Sequence, residues 1–205
     1  MERENILYEI RRCLRIEADS VRKQQEEIEE ETILKVTEAI GHCRGKVILS
    51  ACGTSAMAAK KIAHSLNCIE CPALFLTPSD AVHGGLGVVQ PEDVVILISK
   101  GGNTEELVRL LPACKAKKAA VIVVSENPDS RLAANADIYL KIKVEREPCR
   151  FNMLATASTM AVIAVFDAVC IALMQMAEYT REQFAVIHPG GAVGERLLER
   201  KEGAH

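Results

Sequence analysis

The runs Lys46-Val47-Ile48-Leu49-Ser50-Ala51-Cys52-Gly53-Thr54-Ser55-Ala56 and Val94-Val95-Ile96-Leu97-Ile98-Ser99-Lys100-Gly101-Gly102-Asn103-Thr104-Glu105-Glu106 decide the fold. Each is a short apolar, β-rich stretch that passes through small, hydroxyl-bearing residues into a helical pattern. A strand without polar alternation belongs in a sheet covered on both faces, which is the parallel arrangement. The loop behind each strand suits an anion: glycine lets the backbone approach, Ser and Thr donate, and the helix's first amides have no acceptor within it. Two such loops in one chain point to a phosphorylated small molecule.

Working outward, strands are predicted at Val47 to Ser50, Pro72 to Leu76, Val94 to Ile98, Ala120 to Val124 and Ile138 to Ile142. Helices are predicted at Ser55 to Leu66, Thr104 to Ala116 and Thr156 to Tyr179, with shorter turns near Ser79 to Val82 and Ser130 to Asn135. This alternation predicts an α/β three-layer sandwich around a five-stranded parallel, doubly wound sheet. Ligands of such sheets bind beyond the carboxyl ends of the strands, where both loops fall. Ile6 to Ile40 reads as a helix, with Ile6, Ile10, Leu14 and Ile16 and then Ile28, Ile33, Leu34, Val36 and Ile40 as its apolar stripe. We read residues 1–44 as a helical arm of the same domain that packs on a partner subunit, 45–198 as the α/β unit, and 199–205 as a frayed tail.

A chain of 205 residues with 49% hydrophobic content suits one core. Its net charge of −3, without a basic stripe, argues against a nucleic-acid partner, and 3% aromatic residues without Trp argue against base stacking. The acidic run from Glu26 to Glu31 reads as a solvated helix face. The charged start Met1-Glu2-Arg3-Glu4-Asn5 has no signal-peptide core, so a cytoplasmic location with reduced cysteines is expected. Cys68 and Cys71 read as small residues joining a helix end to a strand, because a redox pair would sit at a helix N-terminus. Thr156 to Met176 is long enough to cross a membrane, but Asp167 near its middle favours a helix buried by the sheet or by a second subunit.

Neither G-x-G-x-x-G nor G-x-x-x-x-G-K-[ST] occurs, so neither a dinucleotide nor an ATP site is supported. Thr54 and Ser55 read either as N-caps or as phosphate donors. Ser99, Asn103 and Thr104 repeat the arrangement, and Gly53, Gly102 and Lys100 complete the candidate phosphate set. Lys100 reads equally as a ligand-binding cation or a solvent-facing one. Glu106 lies in the first turn after the second loop, as a dipole complement or a neighbour of the ligand. His83 stands in the glycine-rich run His83-Gly84-Gly85-Leu86-Gly87, Glu147 follows the last strand, and His188 precedes Pro189-Gly190-Gly191. Gly/Pro loops rarely need histidine for packing, which makes both histidines acid-base candidates.

Gly53-Thr54-Ser55, Ser99 to Thr104, Ala81 to Gly87 and His188-Pro189-Gly190-Gly191 together resemble the sugar isomerase (SIS) domain, and within it the arabinose 5-phosphate isomerases, from about Gly45 to Leu198. The resemblance implies interconversion of ribulose 5-phosphate and arabinose 5-phosphate for Kdo and lipopolysaccharide synthesis. It implies acid-base roles for His83, Glu106, Glu147 and His188, and a mechanism that runs on these groups requires no metal or organic cofactor. One glutamate or His188 would abstract the carbon-bound proton to give a cis-enediol, with phosphate held by Ser55, Ser99 and Thr104. Many members carry a first-loop lysine where this chain has Thr54, a metal-binding histidine where it has Thr77, and a serine where the second loop reads Lys100-Gly101. The regulatory domain pair common at the C-terminus is expected to be absent, giving a minimal version. Subunits that pool their histidine loops imply at least a dimer, and a tetramer is expected. Two alternatives stay open: a non-catalytic phosphosugar sensor, and an isomerase of a hexulose 6-phosphate or sedoheptulose 7-phosphate.

Overall fold

The computed structural model describes residues 3–190. Gly191 of the second histidine motif and the expected tail beyond Leu198 lie outside them. In chain order the helices are α1 (Arg3–Glu27), α2 (Glu30–Gly41), α3 (Gly53–Asn67), α4 (Pro78–Ala81), α5 (Glu105–Val108), α6 (Leu111–Lys117), α7 (Ala157–Met176) and α8 (Arg181–Ile187). The strands are β1 (Val47–Ala51), β2 (Ala73–Phe75), β3 (Val94–Ile98), β4 (Ala120–Ser125) and β5 (Ile138–Lys141).

The strands pair in parallel in the order β2-β1-β3-β4-β5. All of β1 and β3 is buried; β3 is apolar throughout, and the one hydroxyl within β1, on Ser50, donates to Leu76 O at 2.7 Å. Alternate residues feed two cores. Val47, Leu49, Val94, Ile96, Ile98, Ile122 and Val124 pack under α2, α3 and α7, whereas Ile48, Val95, Leu97, Val121 and Val123 pack under α5, α6 and Leu132. The expected three-layer, doubly wound α/β sandwich is present.

Three details differ from the reading of the sequence. The helix expected from Ile6 to Ile40 is two helices, because Glu29 leaves the helical conformation (φ −75°, ψ 115°) and its carboxylate accepts the Thr32 amide as an N-cap at 2.7 Å. The helix expected over Thr104 to Ala116 breaks between Val108 and Leu111, where Pro112 has no amide to continue the ladder. Helix α8 was not anticipated; Thr180 and Gln183 form a reciprocal capping box at its start. The Thr180-x-x-Gln183 spacing was a legible signal.

Helix α7 is long and apolar enough to cross a membrane, and it buries Ala161, Val165, Phe166, Val169 and Leu173 within this chain. It packs against α1, α2 and α3, and Asp167 pairs with Lys61 of α3. Met160, Ile171 and Met176 on α7 and Ile6, Leu7, Ile10 and Leu14 on α1 remain exposed.

Candidate functional site

The register sets the geometry of the candidate site. Ala51 stands beside Ile98 and Ile98 beside Val124, so the residues that follow them, Cys52-Gly53, Ser99-Lys100 and Ser125-Glu126, emerge side by side. The order reverses between β1 and β3, and that switch point is where a doubly wound sheet opens a crevice. A cleft lies there, lined by Ser55, Lys100, Ser125, Glu126, Ser158 and Thr159 over an apolar floor that includes Ile98 and Val124.

The first loop enters α3 at Gly53, whose φ of +57° suits a residue without a side chain. The N-cap is Cys52, with no side-chain cap bond, so Thr54 and Ser55 lie within the first turn and are not the caps the sequence allowed. The first ladder bond there runs from Ala56 N to Cys52 O at 3.3 Å, which leaves the amides of Gly53, Thr54 and Ser55 ahead of the ladder. Thr54 is exposed and Ser55 half-buried.

The second loop is tightly tied. The Ser99 and Thr104 hydroxyls bond each other at 2.8 Å, and Ser99 Oγ also accepts the Gly102 amide at 3.1 Å. Asn103 faces away from the cleft residues, its Oδ1 accepting the Arg131 amide at 2.9 Å. Glu106 is exposed at the start of α5, and burial, with the charge of Glu106 after it, pushes the Cys52 thiol up. His83 is exposed at the end of α4, the helix that packs on α5, so it joins the rim of the same end of the sheet.

Lys100 lines the cleft, and Glu147 is packed behind it. The Glu147 side chain is 0% exposed. Its Oε1 accepts Lys100 Nζ at 2.7 Å and the Ser158 hydroxyl, and its Oε2 accepts the amides of Thr156 at 2.9 Å and Ser158 at 3.5 Å. Burial opposes ionisation, but the Lys100 and Ser158 bonds and the Thr156 amide outweigh it and hold this carboxyl below the usual range. Lys100 also lies 3.8 Å from Glu126, whose carboxyl burial pushes up against the pull of Lys100. Helix α1 straps the segment that carries Glu147: Arg12 donates to Pro148 O at 2.6 Å, Gln24 to Lys143 O at 2.8 Å, and Lys23 pairs with Glu145.

His188 lies elsewhere. Helix α7 starts at the cleft, and its 20 residues carry the chain away for about 30 Å, at ~1.5 Å per residue, to the opposite edge, where Leu173 and Met176 crowd Gly41. Tyr179 lies there, its phenol pushed up by burial and, after that, by the Glu70 carboxylate. Phe184 stands edge-on to Tyr179, and His188 stacks on Phe184 at 3.9 Å with an interplanar angle of 16°. One chain thus gathers Gly53, Thr54, Ser55, Ser99, Lys100, Gly102, Thr104, Glu106, His83 and Glu147 at one end of the sheet and leaves His188 at the other. The cleft residues Ser125, Glu126, Ser158 and Thr159 were not singled out in the sequence. Ser125 carried a signal, being a third hydroxyl at a strand end. Among the described residues, no group of three His, Cys, Asp or Glu side chains is placed to hold a metal.

Residues 41–172 match the SIS domain model. Arabinose 5-phosphate isomerase KdsD of Yersinia pestis is 37% identical over 190 residues, 93% of this chain and 58% of that protein. The chain thus spans less than two thirds of that relative's length. A crystal structure from Listeria monocytogenes, provisionally assigned as a sugar-phosphate isomerase, is 57% identical with a TM-score of 0.91, covering 93% of this chain and 100% of that one. The Escherichia coli CFT073 protein c3406, solved in complex with arabinose 5-phosphate, is 30% identical with a TM-score of 0.88, covering 92% of this chain and 100% of that one. By the span of the family match, and by the fold that places its loops around one crevice, this chain belongs to the SIS domain family.

Proposed function

We propose that this chain is an aldose-ketose isomerase that interconverts ribulose 5-phosphate and arabinose 5-phosphate through a cis-enediol. The observation that carries the reading is the cleft beyond the strand ends, where Ser55 of the first loop and Lys100 of the second stand together with Ser125, Glu126, Ser158 and Thr159. The name of KdsD and the arabinose 5-phosphate bound to the c3406 protein support the same substrate class.

In this reading the phosphate sits against the amides of Gly53, Thr54 and Ser55 and the hydroxyls of Ser55, Ser99 and Thr104, a helix N-terminus supplying partial positive charge. The Ser99 and Thr104 hydroxyls, bonded to each other in this structure, turn their donors onto the phosphate oxygens. Binding energy at this remote group orients the reacting carbons. Glu106 or His188 takes the proton from the carbon beside the carbonyl, and His83 serves ring opening; each acid-base group contributes about a hundred- to ten-thousandfold. Since His188 lies at the far end of α7 in its own chain, the histidine over this cleft comes from a neighbouring subunit. The exposed apolar faces of α1 and α7 supply a surface for that assembly, which we read as a cytoplasmic homotetramer serving Kdo synthesis.

A panel assay tests the reading: purified protein with ribulose 5-phosphate, a hexulose 6-phosphate or sedoheptulose 7-phosphate, each with and without chelator. Chelator-insensitive formation of arabinose 5-phosphate is expected. Thermal stabilisation by the sugars without turnover would identify a sensor instead.

A further inference from the structure

The Lys100 ammonium has one short partner, Glu147 at 2.7 Å, and a longer one, Glu126 at 3.8 Å, while its side chain stays 40% exposed on the cleft wall. An ammonium has three donors, so Lys100 keeps donors for a ligand. It is the sole cation among the described residues that line the cleft. Glu147 is the reverse case. It has no exposed surface, and both its oxygens already accept bonds, from Lys100, Ser158 and the amides of Thr156 and Ser158. A base must come within hydrogen-bond reach of the proton it takes, and this carboxylate does not meet the cleft.

We propose that Lys100 is the electrophile of this site, the cation that meets the sugar's carbonyl oxygen, and that Glu147 is a positioning residue that acts through Lys100 and carries no proton of its own. The inference rests on the isomerase reading above. When Glu106 or His188 removes the proton beside the carbonyl, the C–H pair becomes the new C=C bond and the carbonyl π pair moves onto oxygen. The Lys100 ammonium lies where that negative charge is met, in a cleft with an apolar floor that strengthens the interaction. A phosphate anchor is the competing role for the same lysine. Two carboxylates within 4 Å of the ammonium oppose a dianion there, whereas a neutral carbonyl oxygen gains charge only as the reaction proceeds. The phosphate's donors are the amides and hydroxyls of the two loops. Ser158 and the first amides of α7 fix Glu147, Glu147 fixes Lys100, and α1 holds the strap from Lys143 to Pro148 on which Glu147 rides.

The test compares Lys100→Met, Lys100→Arg, Glu147→Gln and the double variant Lys100→Met/Glu147→Gln, with ribulose 5-phosphate as substrate and inorganic phosphate as inhibitor. Lys100→Met is expected to lower kcat by about a hundredfold or more, with KM and the phosphate inhibition constant within about threefold of wild type. Lys100→Arg keeps the charge and recovers part of the loss. The double variant leaves no unpaired buried charge, so it folds where a single replacement fails. Because both residues act by one route, its kcat matches that of Lys100→Met within about threefold. Losses that multiply in the double variant would make Glu147 a proton carrier in its own right. A weakened phosphate inhibition constant with kcat retained would make Lys100 a phosphate anchor, and unchanged kinetics in Lys100→Met would dismiss it from the site. Each of these outcomes leaves the isomerase reading standing, whereas a wild-type protein without turnover overturns that reading and the inference with it.

Discussion

A Cβ placed on Gly102 would stand 2.1 Å from the Ser130 hydroxyl oxygen and 2.4 Å from the Ser130 Cβ. Gly102 also has a φ of +69°, and its carbonyl accepts the Leu132 amide at 3.1 Å. The second loop is therefore locked against the turn after β4 by a contact that admits no side chain. Gly102→Ala is expected to destabilise the fold by about 2–4 kcal/mol, from left-handed strain and overpacking, and to weaken inorganic phosphate binding. Chemical denaturation measures the first effect and phosphate titration the second.

The separation of His188 from the cleft makes complementation a sharp test. Glu106→Gln and His188→Ala are each expected to be nearly inactive alone. Mixed and reassembled, they pair an intact Glu106 cleft with an intact His188, and random pairing restores about one site in four. No recovery, with mixed oligomers demonstrated by native mass spectrometry, would place both residues in a site built from one chain.

Asp93 ties the start of β3 to the start of β1. Its carboxylate accepts the amides of Lys46 at 2.9 Å and Gln90 at 2.7 Å and pairs with Lys46 Nζ at 2.8 Å. Burial raises its pKa, but these partners outweigh burial and hold it below the usual carboxylate value. A group depressed on folding gives stability that is present above its unfolded pKa and is lost as pH falls through the folded one. Stability should accordingly fall on acidification below about pH 4. Asp93→Asn should cost about 1.5–3 kcal/mol at pH 7 and flatten that acid dependence, read from denaturation midpoints at both pH values.

Cysteine reactivity should be uneven. Cys149 Sγ accepts the amides of Met153 and Leu154, each at 3.2 Å, and these bonds hold its thiol below the usual value. Burial pushes Cys71, Cys114 and Cys170 up to about 11. One equivalent of iodoacetamide at about pH 7.5 should label Cys149 ahead of those three by peptide mapping, because the thiolate is the nucleophile. Equal labelling would show that the amide cradle does not form in solution.

The sheet was legible because β3 and β4 are uninterrupted apolar runs up to the serines at their ends, Ser99 and Ser125, and β1 is apolar but for Ser50, and periodicity reports burial directly. Helix breaks at Glu29 and before Leu111 were less legible, since a carboxylate cap and a proline at the second helical position compete with a continuing apolar stripe. The loops Gly53 to Ser55 and Ser99 to Thr104 were read from their composition. Partners across the chain were not: Glu126 enters the cleft through β4 register, and the Lys100–Glu147 pair joins residues 47 positions apart. Whether a lysine faces solvent or a buried carboxylate depends on such contacts, which no local pattern encodes. Nor does local pattern show that α7 carries His188 away from its own cleft.

The most direct test of the central claim is a proton NMR time course with ribulose 5-phosphate in deuterium oxide. The account predicts that arabinose 5-phosphate accumulates with deuterium at C2, because the enediol is reprotonated by groups that exchange with solvent. Absence of the aldose, or an aldose whose C2 hydrogen is wholly the substrate's own, would contradict it.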